Sequence, residues 1–183
     1  YLGELEALEG IDVDLSVKSE QYEMNTGWEE MTSKEQALYN THLKTRYAAE
    51  MAYIDDEIEE IFDGLREVGL LDDTLVVFWT DHGEAFFEHG KQTHAYSMHR
   101  TENDAVAFFW ADNIVSGSFD GPTTHADIAP ITLHALGYDV PPWMTGKLTS
   151  EITNDRVRYA IAAGKSGIVQ MVRSGDLKLI YDW

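Results

Sequence analysis

Leu70 to Gly90 reads LLDDTLVVFWTDHGEAFFEHG. Its centre, Thr74 to Thr80, is a β-branched and aromatic run bounded by Asp72-Asp73 and by Asp81-His82-Gly83, the pattern of a strand buried on both faces. Upstream, Thr32 followed by Glu35 forms a capping box, and Tyr47, Met51, Ile54, Ile58, Ile61 and Leu65 recur at alternating spacings of four and three. This predicts a long helix from about Ser33 to Val68, with Glu50, Asp56, Glu59, Glu60 and Asp63 on its opposite face and Gly69 as a left-handed cap. A helix feeding such a strand predicts an α/β sheet.

Downstream, AVAFFWA at 105–111 is a second buried-strand candidate. The polar, histidine-rich stretch from Glu84 to Asp104 before it has the length of a functional loop. A shorter helix is predicted from about Asp127 to Leu136, with Pro130 in its first turn and Gly137 as its stop. From Val157 the texture changes to VRYAIAA, IVQMVR and LKLIYD, an antiparallel meander with Ser174-Gly175 at its last turn. The chain therefore divides into an irregular lead-in at 1–31, an α/β portion at 32–150 and the start of an antiparallel subdomain at 151–183.

The 183 residues suffice for one sizeable core, and 44% hydrophobic content separates the chain from disordered sequences. Asp and Glu number 33 against 13 Lys and Arg, a net charge of -20. Such a surface repels phosphate backbones and anionic lipid, so nucleic acid and membrane are not expected partners. The longest apolar run, Ala105 to Ala111, falls far short of the ~20 residues that span a bilayer, and the opening YLGELEALEG lacks a signal peptide's basic flank. The absence of cysteine excludes disulfides, thiolate metal sites and Cys nucleophiles within this sequence, and leaves the compartment unread. Self-repulsion of this size is relieved when salt screens it, so a soluble protein of a high-salt environment is expected. The melting temperature is accordingly expected to rise from low to molar KCl, and a flat response would remove this reading.

Asp81 and His82 follow the best strand candidate, where open α/β sheets present their ligands. Carboxylate oxygen suits a hard divalent cation, and imidazole adds a nitrogen donor for Mn, Zn or Fe, or a weaker contact for Ca or Mg. Taken alone, Asp-His-Gly equally suits a turn in which Asp81 caps the next segment.

Four segments, in order, resemble the sulfatase branch of the alkaline phosphatase superfamily. They are YAAEMAYIDDEIEEIFDGLREVGLLDDT at 47–74, the strand and Asp-His-Gly that follow, THADIAPITLHALGYDVPP at 124–142, and VQMVRSGDLKLIYD at 169–182. The resemblance implies a mixed, largely parallel sheet flanked by helices, with a small antiparallel subdomain appended. It implies that Asp81 and His82 are metal ligands, with calcium first and magnesium or manganese as alternatives. His94 stands where the family carries the basic residue that assists the leaving group. Lys91 is a weaker substitute for that role. His89 is expected to shape the loop, His99 to lie within reach of the same cleft, and His125 to bond backbone or Asp127. His42 and His134 are expected in core or solvent. Three departures stand out: Phe87 where the family commonly has Gly, Asp104-Ala105-Val106 in place of Arg-Val-Pro, and Ile131 inserted between Pro130 and Thr132.

Sulfatases attack with a formylglycine made from Cys or Ser in a Cys/Ser-x-Pro-x-Arg motif. The four prolines here, Pro122, Pro130, Pro141 and Pro142, all lack Arg two places later. The resemblance thus implies a C-terminal portion without the nucleophile and the upstream Asp ligands, its partner being the N-terminal half of the same enzyme. The intact protein is then expected to cleave a small-molecule or glycan sulfate ester through a covalent intermediate, and this chain alone to be inactive. Alternatives are a phosphoester or phosphonate hydrolase, a phosphoglycerol-type transferase of the same superfamily, or a non-catalytic acidic binding module.

Overall fold

The computed structural model describes residues 27–112, 114–164 and 167–182. Its helices are α1 (Ser33–Glu67), the single turn α2 (Arg100–Asn103) and α3 (Ile128–Ala135). Its strands are β1 (Val76–Trp79), β2 (Ala85–Phe86), β3 (Gln92–Thr93), β4 (Ala107–Trp110), β5 (Arg158–Gly164), β6 (Gly167–Ser174) and β7 (Leu177–Asp182). The chain separates into two units, one of residues 1–71 with 84–94, the other of 72–83 with 95–183. Most of the lead-in expected at 1–31 lies outside the described residues; Trp28–Glu30 within it form a 3-10 turn.

In the first unit α1 begins where the capping box sets it. The Glu35 amide donates to Thr32 Oγ1 at 3.3 Å, and the Thr32 amide donates back to Glu35 Oε2 at 2.8 Å. It ends in a Schellman motif: Gly69 has φ +70, its N–H donates to the Arg66 carbonyl, and the Leu70 N–H donates to the Leu65 carbonyl at 2.9 Å. The helix buries Tyr39, His42 and Thr45 from its N-terminal half. The apolar stripe expected to be its core face is packed at Tyr47 and largely open beyond it, with Ile61 at 61% exposure. Tyr39 and Tyr47 meet the β2–β3 hairpin. Phe87 stacks on Trp28 with centroids 3.7 Å apart and meets Tyr39 edge-on at 6.1 Å, while Phe86 takes Tyr47 edge-on at 5.3 Å. Phe87 has φ +65, the left-handed region that glycine adopts without strain. The aromatic contacts hold this strained residue in place.

In the second unit β1 pairs with β4, antiparallel from Val76↔Trp110 to Trp79↔Ala107, with Phe78 and Phe108 stacked across the pair at 4.9 Å. All strand pairs among the described residues are antiparallel, so the largely parallel sheet expected from the sequence is not present there. For the same reason β1 is half-buried rather than covered on both faces: β4 is its only partner among these residues. α3 follows a 3-10 turn at His125–Asp127, and Pro130, its third residue, costs no hydrogen bond there. Gly137, at φ +79, stops it. The meander β5–β6–β7 is as expected, its last turn being Gly175–Asp176 with Gly175 at φ +53. Val169 and Met171 alternate inward from β6 and join Met98, Ala160 and Ala162 in a small core.

Candidate active site

Thr80 ends β1 and is held from two sides. Its N–H donates to the Val106 carbonyl, its hydroxyl accepts from the Val106 N–H at 3.0 Å, and its carbonyl faces His125 Nε2 at 2.8 Å. His125 thus bonds backbone, one of its two expected roles. The next residue, Asp81, turns Oδ1 to the His82 N–H at 3.0 Å. His82 Nδ1 lies 2.8 Å from the Gly83 carbonyl and donates its N–H there, so that in the neutral ring Nε2 carries the lone pair. That Nε2 is 3.4 Å from Asp81 Oδ2. Neighbouring ligands around one divalent ion sit about 3 Å apart when each bond is about 2.0–2.5 Å, so the two atoms fit one ion's coordination sphere. They are two donors only: among the described residues no group of three or more His, Cys, Asp or Glu converges as a metal site.

The glycine of this tripeptide is required by space. A Cβ on Gly83 would overlap the Thr101 carbonyl and stand 2.9 Å from that of Asp104, and the Gly83 N–H donates to the Glu102 carbonyl at 2.9 Å. Glu102 in turn is buried, and its carboxylate accepts from the N–H groups of Tyr96 and Ser97, both at 3.0 Å, and from Ser97 Oγ at 2.5 Å. It fixes the loop that the Gly83 turn rests on.

His94 and Lys91 belong to the first unit, Asp81 and His82 to the second. The β2–β3 register pairs Ala85 with Thr93, so Glu84 and His94 continue it one step outward. His94 Nδ1 lies 3.3 Å from Glu84 Oε2 and 3.3 Å from Thr93 Oγ1, leaving Nε2 on the opposite side of the ring. Thr93 and Ala95 have φ +72 and +67, so both neighbours of His94 are held in the left-handed region, a strain that for a β-branched residue is uncommon. Glu84 was not singled out from the sequence; its signal was the two-residue alternation on either side of the His89-Gly90 turn. Lys91 is exposed, with no side-chain hydrogen bond or ion pair among the described residues, and only its carbonyl is engaged, by the Phe87 N–H at 3.1 Å.

The other histidines divide simply. His89 and His134 are exposed, and His99 precedes α2 as its N-cap without a side-chain capping bond. His42 is buried on α1, and burial first, then the Arg46 charge, pulls its pKa below the ordinary value. Asp127, 1% exposed, is the anchor of the α3 region. It accepts from the Thr124 N–H at 2.7 Å and the Lys147 N–H at 2.8 Å, and takes both Arg156 guanidinium nitrogens at 2.6 and 2.8 Å. Burial would raise its pKa, but the Arg156 bonds and the two amides outweigh it and hold the carboxyl below its usual range.

The family model described as Sulfatase matches residues 16–138. The chain belongs to the sulfatase family. It is 29% identical to the choline-sulfatase of Rhizobium meliloti over 147 residues, 74% of this chain and 28% of the relative. It is 30% identical to arylsulfatase K of Xenopus laevis over 125 residues, 66% of this chain and 23% of the relative. The chain thus spans less than a third of the length of these sulfatase relatives. Among solved structures it shares its fold with BT4656 in complex with its substrate D-glucosamine-2-N,6-O-disulfate, at a TM-score of 0.56, 21% identity, 73% coverage of this chain and 30% of that one. No helix among the described residues is long and apolar enough to cross a membrane.

Proposed function

We propose that the chain is the C-terminal portion of a hydrolase of sulfate esters, with a small-molecule or glycan substrate. The observation that carries the reading is the 3.4 Å approach of His82 Nε2 and Asp81 Oδ2 at the end of β1, in a tripeptide that Gly83 locks into place. These two residues hold a divalent cation, calcium first and magnesium or manganese as alternatives, and the remaining ligands lie outside these residues. Bound there, the ion supplies charge stabilisation to the transferred group. His94 gives a proton from Nε2 to the bridging ester oxygen as its bond to sulfur breaks, and Glu84 is the positioning residue that holds the imidazole by Nδ1. Lys91, exposed on the same hairpin, is the weaker alternative for that role. The nucleophile, a formylglycine in the family's pattern, and the strands that complete a mixed, largely parallel sheet come from sequence outside these 183 residues. Names of relatives that are choline- and arylsulfatases support sulfate over phosphate.

The test is turnover by the intact gene product. Aryl sulfates are expected to be cleaved faster than aryl phosphates, with Asp81→Ala abolishing the activity. The reverse preference would assign it to phosphoryl chemistry, and activity on neither class would make the chain a non-catalytic module with the same fold.

A further inference from the structure

Arg158 of β5 is the cross-strand partner of Arg173 on β6, and Arg173 is the partner of Lys178 on β7. Directly opposed residues share a face of the sheet, so three cations stand in a row across the meander, an arrangement that costs stability through like-charge repulsion. They share the inward face of Val169 and Met171, at its end beside Met98, whose carbonyl accepts from Lys178 Nζ. Arg173 Nε donates to the Gly175 carbonyl at 3.3 Å. Arg158 Nε is buried with no hydrogen-bond partner among the described residues.

A chain with 33 carboxylates and only 13 Lys and Arg has counterions in excess, yet the row has little access to them. Asp104 is the carboxylate that acts on Arg158 and Lys178, and it is already bonded by Arg100 Nε at 2.7 Å. Three cations, Arg100, Arg158 and Lys178, therefore share one carboxylate, and Arg173 stands beside two of them. Burial first, then the Arg173 charge, pulls both Arg158 and Lys178 below their ordinary pKa values despite the opposing pull of Asp104. Asp104 is also the residue whose carbonyl would stand 2.9 Å from a Cβ on Gly83, which puts the cluster beside the Asp81-His82-Gly83 turn within one unit.

We propose that Arg158, Arg173 and Lys178, with Arg100 at their edge, form an oxyanion subsite that holds a second sulfate or carboxylate group of the substrate. Planar guanidinium forks suit tetrahedral and carboxylate oxyanions alike, and a bound anion supplies the charge that the fold withholds. The assignment to substrate rests on the proposed ester hydrolysis; the anion site itself does not.

Two measurements separate these. Titration of inorganic sulfate into the chain at constant ionic strength, followed by calorimetry, should show saturable binding. Arg158→Gln and Arg173→Gln should each weaken it at least tenfold, while the charge-matched control Lys34→Gln leaves it unchanged. No saturable binding, or binding indifferent to both row variants, would overturn the site. Without sulfate, Arg173→Gln should melt no lower than the wild type, because it removes repulsion; a lower melting temperature would make the row a structural feature of the sheet. In the intact enzyme, Arg173→Gln should lower kcat/KM at least tenfold more on an ester bearing a second oxyanion than on a monoanionic aryl sulfate. Equal losses on the two esters would overturn the assignment to substrate. An intact enzyme inactive on every sulfate ester would count against the proposed reaction alone, with the sulfate titration still deciding the anion site.

Discussion

Asp127→Ala is expected to destabilise the second unit by about 3–5 kcal/mol, the cost typical of removing one partner of a buried ion pair. At roughly 2–4 °C per kcal/mol for a chain of this size, thermal denaturation should move down by on the order of 10 °C. The reason is the number of groups that depend on one carboxylate: the Arg156 guanidinium, 12% exposed in its side chain, and the amides of Thr124 and Lys147 would all lose their acceptor together. Asp63→Asn, which breaks the exposed pair with Arg66, should cost less than about 1 kcal/mol. Replacing both members, Asp127→Leu with Arg156→Met, should not restore stability, because the two amides would stay buried without an acceptor. The same carboxylate gives a pH dependence. Its native pKa is lowered, so the folded state binds fewer protons than the unfolded one. The stabilisation is therefore present above about pH 4, the ordinary carboxylate value, and lost as pH falls through the lowered native value. A melting temperature that Asp127→Ala leaves unchanged, or an acid transition that the variant does not alter, would contradict this account.

What could be read in the sequence was local. The start of α1 is written in Thr32 and Glu35 and its end in Gly69, each within four residues of the bond it makes. The meander was equally plain, since alternation and a Gly-containing turn specify antiparallel strands without help from elsewhere. Features that depend on register or on distant partners were not readable. Glu84 meets His94 only because β2 pairs with β3 in one register, and Arg156 reaches Asp127 across 29 residues of sequence. The cation row exists only once β5, β6 and β7 are aligned, so no local pattern marks Arg158, Arg173 and Lys178 as a group. Phe87 was visible as a departure from a glycine position, but the aromatic partners that hold it there, Trp28 and Tyr39, come from elsewhere in the chain. The direction of the sheet around β1 is likewise a matter of neighbours: a parallel partner requires a crossover connection, and among the described residues β1 has only β4.

A large kinetic effect that depends on the leaving group is expected at His94. In the intact enzyme His94→Ala should lower kcat/KM about 10²- to 10⁴-fold on alkyl sulfates, the range for loss of a positioned general acid. On aryl sulfates with acidic phenols the loss should be far smaller, since a good leaving group departs without a proton. Glu84→Gln should show the same leaving-group dependence with a smaller factor, as fits a residue that acts by holding the His94 ring through Nδ1 at 3.3 Å. A loss that is uniform across leaving groups would show instead that His94 binds the sulfate rather than assisting departure. The 183-residue chain by itself should show no turnover above a buffer blank. A proton donor accelerates departure only after something has attacked, and Asp81 with His82 supplies two donors where calcium or magnesium takes six or more oxygens. Mixing the chain with an N-terminal polypeptide of the same gene should then restore turnover that needs Asp81, His82 and His94 together. If the chain alone cleaves an aryl sulfate and loses that activity in His94→Ala, a nucleophile lies within these 183 residues, and the division of the machinery between two parts of the protein is wrong.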